Sequence, residues 1–251
     1  MRLGAGPIDL ARATRAQLES LAEESVASSF DSVWVAESRE RGVGGGLAAA
    51  AMLAQAVPIR VGAAVDVGSY HPLYLAEDIA VADLASQGRI EVLLRITPGW
   101  VDEHLRLLAA ALSGAHLRWR GEHLQVPGGI EANQPSPQRL ALNPRPAQAV
   151  VPIWIEAAEA WMERSAREIG FGVAERWREG GTVPRAAGRW PGMALCSARV
   201  EAQALLAAAG DGAGYFVVGA STEADVRAAG RRLAGPLRMP EFPDWINRSD
   251  G

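Results

Sequence analysis

The chain has 251 residues, 49% of them hydrophobic, and a formal charge of −4. About that length builds one complete (β/α)8 barrel, and so mild a negative charge argues against a nucleic-acid backbone as the main partner, because phosphate binding needs a basic face. No run approaches the roughly 20 continuous apolar residues of a membrane helix. The N-terminus starts like a strand and lacks a signal peptide's long apolar region. One cysteine, Cys196, excludes an internal disulfide and a cysteine-rich metal site. A cytoplasmic protein is expected. All 25 basic residues are arginines, which excludes a Schiff-base lysine and a P-loop lysine together.

Short β-rich runs alternate with longer helical ones, which implies a parallel sheet covered by helices. Strand one is expected over Arg2–Ile8 and helix one over Arg15–Ala27, with Leu18, Leu21, Ala22 and Ser25 facing inward. Strand two is Ser32–Ala36. The Ala-rich helix two, Gly46–Ala56, stops before Pro58. Strand three is Ile59–Val67. Pro72 opens helix three, which runs to about Ser86. Strand four is Ile90–Ile96 and helix four Val101–Leu112. A two-strand signal follows, His116–Arg120 and His123–Val126, turning at Gly121-Glu122. After a Pro/Asn/Gln-rich connector, Pro127–Pro146, strand five is Pro152–Ile155 and helix five Glu159–Ile169. Strand six is weak, Gly172–Ala174, and Arg176–Pro191 reads as a long loop. Strand seven is Met193–Cys196, helix seven Val200–Ala209, strand eight Tyr215–Val218 and helix eight Glu223–Leu233. This series fits a single (β/α)8 TIM barrel over residues 1–251, compressed around strands six and seven. A doubly wound open sheet is the competing architecture.

Several segments resemble the bacterial-luciferase-like monooxygenases. Phe30–Glu37 resembles the family's second strand. His71-Pro72, Leu75–Asp78 and Asp83–Arg89 resemble its most recognisable stretch. Gly121–His123 matches its hairpin, and Asn143–Pro146 with Pro152–Ile155 matches the approach to its fifth strand. The likeness runs to about residue 170, then returns weakly at Tyr215–Val218 and near Leu237–Pro243. It implies a barrel that uses reduced FMN or the deazaflavin F420, with the site at the C-terminal strand ends.

Those ends supply the candidate residues. By its offset from His71-Pro72, the Ala63–Ala64 bond matches a non-proline cis peptide under the flavin ring in the family. Such a bond costs roughly 3–4 kcal/mol. Packing in a tight barrel would equally explain two alanines. Glu37 ends strand two as a candidate catalytic group; the residue after it is Ser38, where many relatives place a basic histidine. A rim salt bridge of Glu37 to Arg39 or Arg41 is the structural alternative. His71 is a second catalytic candidate or a helix-entry residue. Arg95 ends strand four either as an anion ligand or as an ordinary rim arginine.

After strand five, Glu156-Ala157-Ala158-Glu159 stands where the family has a small, phosphate-binding turn. Two like charges at 4 Å repel by about 4 kcal/mol at an effective dielectric of 20, so these carboxylates work against a flavin phosphate. Glu159 would instead support the start of its helix. No two histidines have zinc-ligand spacing, and the tryptophans at 100, 119, 154, 161, 177 and 190 are candidates to line an apolar cavity.

Two functions compete. One is a flavin- or F420-dependent monooxygenase or oxidoreductase acting on a small apolar organic substrate. The other is a degenerate barrel that has lost flavin and serves as a partner subunit, a binding protein or a non-redox enzyme. The resemblance implies pairing through helices two and three, as a homodimer or with a related barrel, under either function, and the Ala-rich face Leu47–Ala56 would allow close helix packing.

Overall fold

A computed structural model describes residues 1–38, 44–96, 100–126, 141–178, 181, 184, 186, 189–211 and 213–237, with only the backbone described for 69 and 234–236. The barrel strands are β1 (Arg2–Asp9), β2 (Ser32–Ala36), β3 (Arg60–Asp66), β4 (Ile90–Arg95), β7 (Ile153–Glu156), β8 (Gly172–Arg176), β9 (Gly192–Cys196) and β10 (Ala213–Val218). Eight parallel strands close in the order β1-β2-β3-β4-β7-β8-β9-β10, with β10 returning to β1. The open sheet is therefore excluded. A small antiparallel hairpin, β5 (Trp119–Arg120) with β6 (Gln125–Val126), is inserted between β4 and β7.

The helices are α1 (Arg15–Ala27), α2 (Gly46–Ala56), α3 (Pro72–Ala85), α4 (Asp102–Leu112), α5 (Ala160–Ile169), α6 (Ala202–Gly210) and α7 (Glu223–Leu237). Among the described residues no helix separates β8 from β9, which is the compression read from the sequence. Local chemistry fixes the helix ends. Thr14 and Gln17 form a reciprocal capping box at α1. Pro72 occupies the first turn of α3, where its missing N–H costs nothing.

Side chains alternate across each strand, so the barrel has two apolar layers. Val33, Val35, Ala63, Val65, Val92 and Leu94 face the helices. Trp34, Ala36, Ala64, Leu93, Trp154, Ala174, Met193, Tyr215 and Val217 fill the interior. Glycines make room for the two large indoles. A Cβ on Gly62 would stand 2.1 Å from Trp34 Cδ2, and one on Gly172 would stand 2.3 Å from Trp154 Cδ1.

Below the indoles lies a buried polar cluster. Glu91 accepts from Arg2 Nη1 at 2.5 Å, from Arg60 Nε at 2.6 Å and from the Tyr215 hydroxyl at 2.6 Å. The Tyr215 oxygen also takes the Trp34 indole N–H at 2.8 Å, and the Arg2 guanidinium lies 4.4 Å from the Tyr215 ring centre. Burial opposes ionisation of Glu91, but Arg2, Arg60 and the tyrosine outweigh it and hold its carboxyl below the usual range.

The expected cis bond at Ala63–Ala64 is absent; among the described residues cis bonds lie at Gly6–Pro7 and Asn143–Pro144. The reason is regular pairing on both sides. Ala63 matches Val35 and Val92, and Ala64 matches Ala36 and Leu93. Nothing in this ladder forces so costly an isomer.

Candidate functional site

Above the indoles, the C-terminal strand ends surround an open cavity of about 900 Å³. It is lined by Pro7 and Asp9 of β1, Ala36, Glu37 and Ser38 at the end of β2, Asp66 of β3, and Arg95 and Ile96 at the end of β4. Glu156, Ala157 and Ala158 after β7, with Glu175 and Arg176 of β8, complete the wall. A smaller chamber of about 270 Å³ continues inward past Ala64, Leu93, Leu195, Cys196 and Val217. The floor is therefore apolar and small, while the rim is charged.

The sequence candidates separate here. Ala64 reaches the inner chamber. Ala63 does not, because its neighbour's parity turns it into the helix-facing layer. Two adjacent alanines of one strand cannot both face the mouth, so the expected pairing is corrected: Ala36 of β2 joins Ala64 instead, directly opposite it in the ladder. Arg95 does line the cavity, because Glu91, Leu93 and Arg95 share one face of β4. Its Nη2 donates to the Glu37 carbonyl at 2.6 Å and to Asp66 Oδ2 at 2.8 Å. One guanidinium thus ties the tips of three strands together.

Glu37 is buried, and both carboxylate oxygens are engaged by backbone. Gly46 N donates to Oε1 at 2.9 Å and Asp66 N to Oε2 at 2.9 Å. The side chain braces the start of α2 against the end of β3. The alternative partners Arg39 and Arg41 lie outside the described residues. His71 is exposed at the N-cap of α3, where its Nδ1 accepts from Leu73 N at 3.3 Å, and it does not line either chamber.

After β7, Glu156 faces the cavity and accepts from Arg176 Nε at 2.9 Å. The Ala157 amide is already committed to the Ala174 carbonyl at 3.0 Å. Glu159 stands at the N-cap position of α5 without a side-chain capping bond and does not line the cavity, and its carboxylate takes the Trp161 indole N–H at 3.1 Å. The turn that would hold a flavin phosphate therefore presents a carboxylate, paired with Arg176, and a committed amide, and both work against a phosphate there.

Of the tryptophans offered for a cavity wall, Trp177 lines a small recess beside the mouth, and others are packing. Trp154 and Trp190 sit below the mouth in the barrel interior, 5.8 Å apart. Trp100 and Trp177 belong to the helix-side layer. The sequence reading missed Asp9, Asp66, Glu175 and Arg176 as wall residues. The last two were hidden because β8 runs two residues further than its apolar stretch. Burial, and then the charge of Glu163, raise the Glu175 carboxyl above its ordinary range. Burial pushes the Cys196 thiol up to about 12.

Among the described residues no helix is long and apolar enough to cross a membrane, and no group of three His, Cys, Asp or Glu is placed to hold a metal.

Comparison with known proteins agrees with this architecture. The family model described as luciferase-like monooxygenase matches residues 4–95, from β1 to the end of β4. No curated protein matches the chain in sequence. The coenzyme F420-dependent tetrahydromethanopterin reductase of Methanopyrus kandleri is similar in structure, with a TM-score of 0.64 at 14% identity, over 94% of this chain and 99% of that one. The monooxygenase RslO1 of Streptomyces bottropensis has a TM-score of 0.62 at 15% identity, over 95% and 99%. An F420-dependent secondary alcohol dehydrogenase has a TM-score of 0.68 at 11% identity, over 92% and 98%. The luciferase-like monooxygenase model thus matches residues 4–95, and the fold is shared with these structures over more than nine-tenths of the chain.

Proposed function

We propose that the chain is an oxidoreductase of the luciferase-like type that seats the ring of FMN or F420 at the C-terminal mouth of its barrel. The observation that carries this reading is the pair of small, adjacent residues Ala36, which lines the cavity of about 900 Å³, and Ala64, which lines the chamber of about 270 Å³ that continues from it. Planar rings stack on small side chains and backbone, and the buried indoles below keep that floor rigid. The fit concerns the ring end only, because the turn after β7 works against a phosphate. When bound, the cofactor supplies the electron-transfer chemistry.

The chain's own residues position and exchange protons. Arg95 and Glu37 hold the tips of β2, β3 and β4 in register. Glu175 is the wall carboxyl whose proton affinity is raised, which suits it to hold a proton closer to neutral pH than an ordinary glutamate. The charged rim favours a substrate with polar groups over the entirely apolar one expected from sequence.

The test is a visible-range titration of the folded protein with FMN, reduced FMN and F420. Saturable micromolar binding of one of them is the expected result. A folded protein that binds none loses the oxidoreductase reading, and the flavin-free barrel takes its place.

The same reading includes a second copy of the chain docked on α2 and α3. Tyr74, Val81 and Leu84 stand exposed on α3, and a groove of about 430 Å³ between the helices is lined by Leu47, Ala48, Ala51 and Met52. Val81→Glu should convert a dimer to a monomer in sedimentation equilibrium. A wild-type monomer at micromolar concentration would remove this part of the proposal.

A further inference from the structure

The charges around the mouth are unevenly distributed. Asp9, Asp66, Glu156 and Glu175 stand along the wide cavity, and its two arginines there are already paired, Arg95 with Asp66 and Arg176 with Glu156. Past the tips of β8 and β9 the sign reverses. A separate recess of about 240 Å³ is lined by Trp177 and Arg178 after β8 and by Ser197, Arg199 and Val200 after β9. Ser197 also lines the inner chamber of the mouth, so the two spaces share a wall.

The recess suits an oxyanion. Arg178 and Arg199 are exposed, and neither forms an ion pair with a described carboxylate. Two guanidinium groups and a hydroxyl are the donor set that matches a phosphate. Arg232 of α7 donates to the carbonyls of Ala198 at 2.6 Å and Val200 at 2.9 Å, which anchors this turn to α7. The nearby Glu201 carboxylate lies 4.0 Å from the same Arg232. A water's share of liquid volume is roughly 30 Å³, so the recess is several waters in size. Trp177, itself buried, is one of its lining residues, and its indole donates to the Gly181 carbonyl at 3.2 Å.

We infer that the β8–β9 recess is an oxyanion subsite that receives the phosphate monoester of FMN when the FMN ring lies at the mouth. This rests on the oxidoreductase reading for the ring, but the recess itself stands on its own residues. Field from the acidic wall repels a dianion from the β7 side and directs it here. The phosphate end has thus moved across the barrel from the turn that Glu156 closes.

FMN and riboflavin differ in that one phosphate, which makes them the probes. Fluorescence titration of wild type should show FMN binding at least about tenfold tighter than riboflavin, the scale of a charge-assisted contact. In the double variant Arg178→Gln, Arg199→Gln the two affinities should come within about twofold, with riboflavin affinity unchanged. Arg178→Lys with Arg199→Lys should keep part of the FMN preference. Equal affinities in wild type, or a preference that survives in the double glutamine variant, would overturn the subsite while leaving the ring site intact. Should neither flavin bind, calorimetric titration with inorganic phosphate decides. Binding to wild type that is lost in the glutamine variant supports the subsite without the oxidoreductase reading, and no phosphate binding overturns it.

Discussion

At the N-terminal end of the barrel one carboxylate, Glu91, is fully buried and answered by Arg2, Arg60 and Tyr215. At the C-terminal end Asp9, Asp66, Glu156 and Glu175 surround an open cavity with alanines beneath it. The same strands build both ends. Where the charges are satisfied by protein and large indoles fill the interior, the barrel gains rigidity. Where small residues leave space, the charges line a cavity wall, with Asp66 paired to Arg95 and Glu156 to Arg176. The stabilising cluster and the proposed site are therefore separated along the barrel axis, the arrangement usual for enzymes of this fold.

Variants at the two ends should break different properties. The largest effect is expected at Glu91→Ala, which strands the Arg2 guanidinium, only 2% exposed, without its carboxylate. Removing one partner of a buried pair costs about 3–5 kcal/mol, measurable by urea unfolding, with ligand affinity of the folded fraction unchanged. The same carboxyl sets a pH dependence. Its folded value is held low by the two arginines and the tyrosine against the cost of burial. Its contribution is complete above the ordinary carboxylate range and is lost as pH falls through the lowered folded value. Glu91→Gln should therefore flatten the acid limb of the stability profile.

Next in size is Gly62→Ala. Its Cβ would meet the Trp34 ring at 2.1 Å, against a side chain with no free direction to move. Overpacking of this kind costs typically 1–3 kcal/mol, and denaturant unfolding with Trp fluorescence reads it. Glu37→Gln follows, because an amide nitrogen would face one of two backbone donors. About 1–3 kcal/mol is expected for the unsatisfied group, with faster amide exchange at the start of α2. Arg95→Gln sits at the other extreme. Its ion pair with Asp66 is part-exposed, so stability should fall by under about 1 kcal/mol, while ligand affinity falls more. A larger loss of stability than of affinity at Arg95 would erase the distinction between the ends.

The strands were legible because β-branched runs alternate with helical periodicity, and strand existence held even for the weak β8. The facing of side chains was less legible. Both faces of these strands are buried, so hydrophobicity carries no parity signal. That is why Ala63 and Ala64 looked equivalent in sequence, although one faces the helices and the other the mouth. The role of Gly62 was invisible for a related reason, since Trp34 reaches it only across the β2–β3 ladder. Glu37 and Arg95 were found from their places at strand ends. Their partners Asp66 and Gly46 were not, because they come from neighbouring elements.

The direct test of the central claim is to raise the floor. Ala64→Phe projects a ring into the chamber where the cofactor ring should rest, on a strand whose other contacts are unchanged. Calorimetric titration with FMN or F420, whichever binds wild type, should then show affinity reduced by about a hundredfold or more in a protein of native circular dichroism. Undiminished affinity in that folded variant would contradict the placement of the ring on Ala36 and Ala64.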